Sequence, residues 1–141
     1  MFLPKTQEYA VRCMAQISLL PNSTTINAEK LSQLVNVPKD YLSKVLQKLT
    51  ASGLLLGEKG HGGGFKLSKD ASEITFLEIL HATGYSLDPE HCISGWGKCK
   101  SYDPCPLHET FSRLNKAVYS WAVNTTLNEI DKTRPSLVNN D

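Results

Sequence analysis

The sequence has no long hydrophobic run: its apolar stretches reach only three residues, as at Leu54, Leu55 and Leu56. A membrane-spanning helix needs about 20 consecutive apolar residues, so the chain reads as one that stays out of the membrane. The opening residues MFLPK lack the apolar stretch that follows the positive charge of a secretory signal, which points to a cytoplasmic address. An excess of charge of one sign is also missing, since the net charge is +1, and bulk charge therefore selects no partner. Internal repeats and low-complexity tracts are absent. Cysteine is scarce, with four residues, too few and too unevenly placed for the disulfide framework of a secreted domain. What remains is a chain of 141 residues that is 40% hydrophobic, enough for one compact domain or one small domain with an appendage.

The scarce features are unevenly distributed. Residues 1–70 carry nine Lys/Arg against five Asp/Glu, whereas residues 71–141 carry six against nine. A basic first half and an acidic second half suggest two tasks. Three of the four cysteines, Cys92, Cys99 and Cys105, fall within fourteen residues. In a cytosolic chain such a cluster points to metal or redox chemistry. Cys13 stands apart on an apolar helical pattern and reads as a small core residue.

Periodicity organises the first half. Tyr9, Ala10, Cys13, Met14, Ile17 and Leu20 recur at helical spacing over residues 7–20, before Pro21. Asn27 is placed to cap a second helix over residues 28–35. Pro38 fits the first position of a third, with Tyr41, Leu42, Val45, Leu46 and Leu49 as its apolar stripe. Two helices joined by so short a turn make a helix-turn-helix. Two short strands follow, residues 54–56 and 65–67, around the sequence GEKGHGGG. That loop is too glycine-rich for a helix and makes the pair a hairpin, or wing. A fourth helix is expected over residues 75–82.

The second half is less regular. Residues 85–105 contain turn formers and the cysteine cluster, and a loop this long inside a compact protein is expected to be functional or disordered. From Pro106 to about Ile130 a long helix is expected. Its residues Leu107, Phe111, Leu114, Val118 and Trp121 step by four, three, four and three, the seam of a helix that packs against another. The expected architecture is mainly α with a small β wing. It comprises a winged helix-turn-helix domain (1–84), a cysteine-rich loop (85–105), a long C-terminal dimerisation helix (106–131) and a polar tail (132–141).

A winged helix-turn-helix reads double-stranded DNA with its third helix in the major groove and its wing at the backbone or minor groove. The candidates are Lys39, Ser43, Lys44, Gln47 and Lys48 on the third helix, and Lys59 and His61 on the wing. Lysines neutralise phosphates, and the ends of Ser43 and Gln47 suit base edges. Any single lysine is better explained by a solvated surface; the ordered combination of helix, turn, helix and hairpin favours DNA.

The spacing Cys92-x6-Cys99-x5-Cys105 offers three thiolates, soft ligands that suit an iron–sulfur cluster or zinc. The fourth position is open to His108, Glu8 or His91. A structural zinc site or thiol-based sensing remains an alternative, although the spacing is longer than that of most zinc modules. A redox carrier without DNA binding is a further one. An enzyme has little support: no nucleophile–base pair stands out. The glycines at 60–64 precede a strand rather than the helix a phosphate-binding loop requires.

Together these elements resemble the Rrf2 family of bacterial transcription regulators. The resemblance spans nearly the whole chain and lies in Glu8-Tyr9-Ala10, Tyr41-Leu42 with residues 46–49, the wing GHGGGFKL, Glu73-Ile74-Thr75, the three cysteines and Asn124-Thr125-Thr126-Leu127. It implies a homodimer on a palindromic operator, the long helix crossing to the partner. It also implies that Cys92, Cys99 and Cys105 hold a 2Fe-2S or 4Fe-4S cluster. Some members of the family add a histidine shortly after the third cysteine, which corresponds to His108. Others use an acidic residue in the first helix, which corresponds to Glu8. The chain departs from one branch at Ser43, where an acidic residue can take part in site discrimination.

Overall fold

The structure, a computed structural model, describes residues 3–91, 102–130 and 133. Its elements run α1 (Lys5–Ser18), α2 (Ala28–Val35), α3 (Lys39–Ala51), β1 (Leu55–Glu58), β2 (Gly64–Leu67), a 3-10 turn (Ala71–Glu73), α4 (Phe76–Ala82), α5 (His108–Asn124) and a second 3-10 turn (Leu127–Glu129). Helices with a two-stranded antiparallel wing form a winged helix, the expected class.

The core forms where the periodic residues meet. Ala10, Cys13, Met14 and Ile17 of α1 are buried, as are Leu31 and Val35 of α2 and Leu42, Val45, Leu46 and Leu49 of α3. α2 and α3 thus turn one stripe inward and leave the opposite face to solvent, whereas α1 is buried all round over residues 13–17. The Asn27 side chain caps α2 by accepting the Lys30 N–H at 2.8 Å. Asn36 closes α2 in the left-handed region, with φ 52°, a conformation asparagine tolerates better than most residues. Three residues then separate α2 from α3, a turn short enough to make the two helices neighbours.

β1 and β2 pair with Leu55 opposite Leu67 and Glu58 opposite Gly64. Ile26, ahead of α2, adds an isolated antiparallel bridge through mutual backbone bonds with Phe65, at 3.0 and 2.8 Å. The wing is therefore sewn to the helix-turn-helix. The sequence reading gave no pairing to residue 26.

The helix expected over residues 106–130 is shorter at both ends. It starts at His108 and stops at Asn124, where Thr125 becomes extended. There the Thr125 carbonyl accepts the Phe76 N–H at 3.0 Å, and the Leu127 N–H donates to the Ile74 carbonyl at 3.0 Å. Leu127 and Ala122 are fully buried and Trp121 packs on Phe76, ring centroids 5.1 Å apart. The C-terminal end of α5 is thereby anchored in the winged-helix core beside α4.

Candidate nucleic-acid interface and cysteine segment

α3 presents its polar face to solvent. Lys39, Lys44, Gln47 and Lys48 are exposed, opposite the buried stripe of Leu42, Val45, Leu46 and Leu49. Ser43 is half-buried, and its hydroxyl donates to the Lys39 carbonyl at 3.0 Å. That bond uses its proton and leaves its lone pairs to accept. Lys39 lies 3.9 Å from Glu29 of α2. Lys44, Lys48 and Lys59 have no acidic partner among the described residues. Their charge is available to phosphates.

Lys59 and His61 are both exposed on the wing loop. The loop closes with the Gly63 N–H donating to the Gly60 carbonyl at 3.0 Å. Gly63 has no room for a side chain: a β-carbon there would meet the Glu58 carbonyl oxygen at 2.4 Å. The Thr25 hydroxyl reaches the Gly62 carbonyl at 2.7 Å, so the loop is also braced from the segment ahead of α2.

Tyr41 departs from its expected place in the α3 core stripe. It is 38% exposed, packs edge-on to Tyr9 of α1 with ring centroids 5.2 Å apart, and shares a hydrogen bond with the Thr6 hydroxyl at 2.5 Å. Around it lies a cluster that sequence reasoning missed. Arg12 donates to the Val35 carbonyl at 3.0 Å, closing the end of α2, and its guanidinium lies over the Tyr9 ring. Glu8 sits between two cations, 3.2 Å from Lys5 and 3.7 Å from Arg12. Only the i, i+3 and i, i+4 spacings on α1 signalled these pairs in advance.

Cys105 is half-buried with a free thiol, and its carbonyl accepts the His108 N–H at 2.9 Å where α5 begins. The thiol and the imidazole thus belong to one turn of chain. Cys92 and Cys99 lie outside the described residues, and no three metal-ligating side chains converge among the described ones. Glu8 is on α1, engaged as above, and His91 is exposed. Cys13 is fully buried, and burial pushes its thiol up to about 12 against the opposing pull of Arg12. It is a core residue with negligible thiolate at neutral pH.

α5 leaves its apolar seam largely uncovered. Leu107, Leu114 and Trp121 are 55%, 59% and 42% exposed, while Val118 packs partly against the core. No helix among the described residues is long and apolar enough to cross a membrane.

A recognition helix with free lysines, braced beside a glycine-closed wing, defines a winged-helix DNA-binding transcription regulator. Comparison with known proteins agrees. The family model for Rrf2, an iron-dependent transcriptional regulator, matches residues 3–132. The HTH-type transcriptional regulator IscR of Cronobacter sakazakii is 30% identical over 130 residues, covering 92% of this chain and 80% of that protein. The chain belongs to the Rrf2 family. Among solved structures, CymR, the global cysteine regulator of B. subtilis, superposes with TM-score 0.77 at 19% identity, covering 92% of this chain and 95% of that one. IscR from T. potens superposes with TM-score 0.72 at 14% identity, covering 92% and 85%. The C. sakazakii and B. subtilis proteins are named as regulators.

Proposed function

We propose that the protein is a cytoplasmic homodimeric regulator that senses redox state, nitric oxide or iron–sulfur status through a cluster held by Cys92, Cys99 and Cys105. The observation that carries this reading is the junction at the start of α5. A half-buried free thiol, Cys105, lies three residues ahead of an imidazole, His108, which is the first residue of the helix that bears the exposed seam. Three thiolates form a donor set chemically suited to iron–sulfur binding, and the matching family is described as iron-dependent. His108 completes the set within the same stretch of chain. Glu8 is the alternative, reaching the cluster from α1 at the cost of its contacts with Lys5 and Arg12. The cluster, when bound, supplies a group whose charge and integrity change with redox state, nitric oxide or iron supply.

The protein's own residues convert that change into DNA affinity. Lys39, Lys44 and Lys48 of α3, with Lys59 on the wing, meet phosphates. Ser43 and Gln47 meet base edges, and His61 approaches the duplex with Lys59 on the wing. The seam of α5 joins two copies, so that two reading helices address a palindromic operator. α5 runs from the cysteine junction to its anchor beside α4, which makes it the element able to transmit order at one end to spacing at the other. The signal acts only through its differential affinity for the two arrangements.

The test is anaerobic purification followed by a visible spectrum with iron and acid-labile sulfide assays on the same sample. A brown protein with matched iron and sulfide is expected, losing its colour when Cys92, Cys99 and Cys105 are replaced by alanine. A colourless protein holding tightly bound zinc, or triple-alanine protein that keeps stoichiometric iron and sulfide, overturns the assignment.

A further inference from the structure

The chain ahead of the cysteines is tied down from two sides. Leu87 is buried and Tyr85 packs against the core, fixing the segment where it leaves α4. A tight turn follows, in which Oδ1 of Asp88 accepts the Glu90 N–H at 2.9 Å and the Asp88 carbonyl accepts the His91 N–H at 3.1 Å. The two carbonyls at the ends of this turn converge on one side chain of α5. Nδ2 of Asn115 donates to the Asp88 carbonyl at 3.0 Å and to the His91 carbonyl at 3.2 Å.

The chemistry of this contact is selective. Both acceptors are carbonyl oxygens, so the group that meets them must bring two protons, as a primary amide does. A carboxylate of the same shape would set acceptor against acceptor, and an aliphatic chain would leave both carbonyls without it. Asparagine is also a weak helix former compared with alanine or leucine, so its presence mid-helix favours the contact rather than α5 itself. Asn115 lies seven residues beyond His108, about 10 Å along the helix axis. One end of the cysteine segment is therefore held at the middle of α5, and the other at its start, through Cys105 and His108.

We propose that Asn115 is a positioning residue for the cysteine segment. Its amide latches the turn at residues 88–91 onto α5 and so fixes the point from which Cys92, the next residue, departs. The inference rests on the cluster reading above and adds a residue outside the ligand set. A fixed entry point reduces the conformational freedom the thiolates must give up on ligation, so the latch acts on retention of the cluster. Leu114, the neighbouring residue on α5, belongs to the exposed seam, so a single helical turn meets both the latch and the candidate dimer contact.

The experiment compares full-length wild type, Asn115→Leu and Asn115→Asp after anaerobic reconstitution with ferrous iron and sulfide. The readout is the rate at which a ferrous chelator strips iron, followed by loss of the visible band. Apo-protein far-UV circular dichroism and Tm are measured in parallel. Both variants are expected to release iron about tenfold faster than wild type. Their apo Tm should change little, and Asn115→Gln, which keeps the amide, should recover part of the difference. Release within twofold of wild type overturns the role of Asn115 alone. Faster release in strict proportion to a falling apo Tm also overturns it, because that is the signature of general destabilisation. Wild type that takes up no iron and sulfide overturns the cluster reading itself, and the latch with it.

Discussion

The carbonyl oxygen of Ile26 stands 2.3 Å from where a β-carbon on Gly64 would be placed. Ile26 is one half of the bridge that joins the segment ahead of α2 to the wing, Gly64 precedes its partner Phe65, and Gly64 adopts φ 153°, a conformation side chains rarely take. Close approach of backbone to backbone is thus the reason for glycine here. Gly64→Ala has to displace Ile26 or the wing, losing the paired bonds between Ile26 and Phe65. The expected cost is about 2–3 kcal/mol from strain and unpaired backbone groups, lowering Tm by roughly 10 °C. Thermal denaturation of the variant checks this, and an unchanged Tm would show that the bridge does not brace the wing.

Lys44 and Lys59 have different supports, one on a rigid helix and one on the wing loop, but neither has an acidic partner among the described residues. Each is free to neutralise a phosphate. Replacing either by alanine should weaken binding to all duplex sequences and reduce the slope of log K against log salt by about one. Fluorescence anisotropy with operator and with random duplex, over a salt series, gives the slope directly. A slope equal to that of wild type removes that lysine from the interface.

The helix-turn-helix was legible because its core residues recur at 3.6-residue spacing, and the wing because consecutive glycines between short apolar segments leave few alternatives. Ile26 was not legible, since a single-residue bridge leaves no alternation in the sequence. Tyr41 sits at the margin of the α3 stripe, and periodicity alone cannot decide whether a marginal aromatic turns inward or onto a neighbouring helix. The end of α5 was misread for a related reason. Leu127 and Ile130 continue the apolar pattern, but backbone pairing with the strand-like residues 74 and 75 wins over helical propagation. In the cysteine region the sequence names donors and not their arrangement, because Asn115 meets its acceptors across 24 and 27 residues.

Thr75 and Glu78 form a reciprocal cap at the start of α4. The Glu78 N–H donates to the Thr75 hydroxyl oxygen at 3.2 Å, and the Thr75 N–H donates to the Glu78 carboxylate at 2.9 Å. Partial burial disfavours the Glu78 charge, but the Thr75 N–H and the Lys69 ammonium, 3.0 Å away, outweigh it and hold the carboxyl below its ordinary 4.5. A depressed carboxyl stabilises the fold above its unfolded pKa and loses that contribution as pH falls through the folded value. Glu78→Gln keeps an acceptor and removes the charge, so it should be a few tenths of a kcal/mol less stable than wild type at pH 7. That gap should narrow as pH falls below the ordinary carboxyl value and through the depressed one. Thr75→Ala removes the hydroxyl, should cost about 1 kcal/mol, and should show no comparable closing of the gap. Chemical denaturation at pH 7 and pH 3.5 distinguishes them, and a pH-independent gap for Glu78→Gln would refute the charge argument.

Leu114 is the most exposed of the seam residues and lies midway between Leu107, just ahead of α5, and Trp121 near its C-terminal end. An apolar face of this kind on an anchored helix is the contact expected between two copies, and its partner would bury it by the stepping of four and three. A lysine at position 114 places a charge at the centre of that contact, opposite the same charge if the axis passes nearby. Leu114→Lys should therefore shift the protein toward monomer in sedimentation equilibrium at micromolar concentration. Its own fold should persist, since Leu114 contributes little to the core. Operator affinity should fall by at least about 100-fold, because a monomer engages one half-site and loses the effective-concentration advantage of two. Random-duplex binding per subunit should change far less. A variant that sediments as wild type places the dimer contact elsewhere, and a monomer with undiminished operator affinity removes the requirement for two linked reading helices.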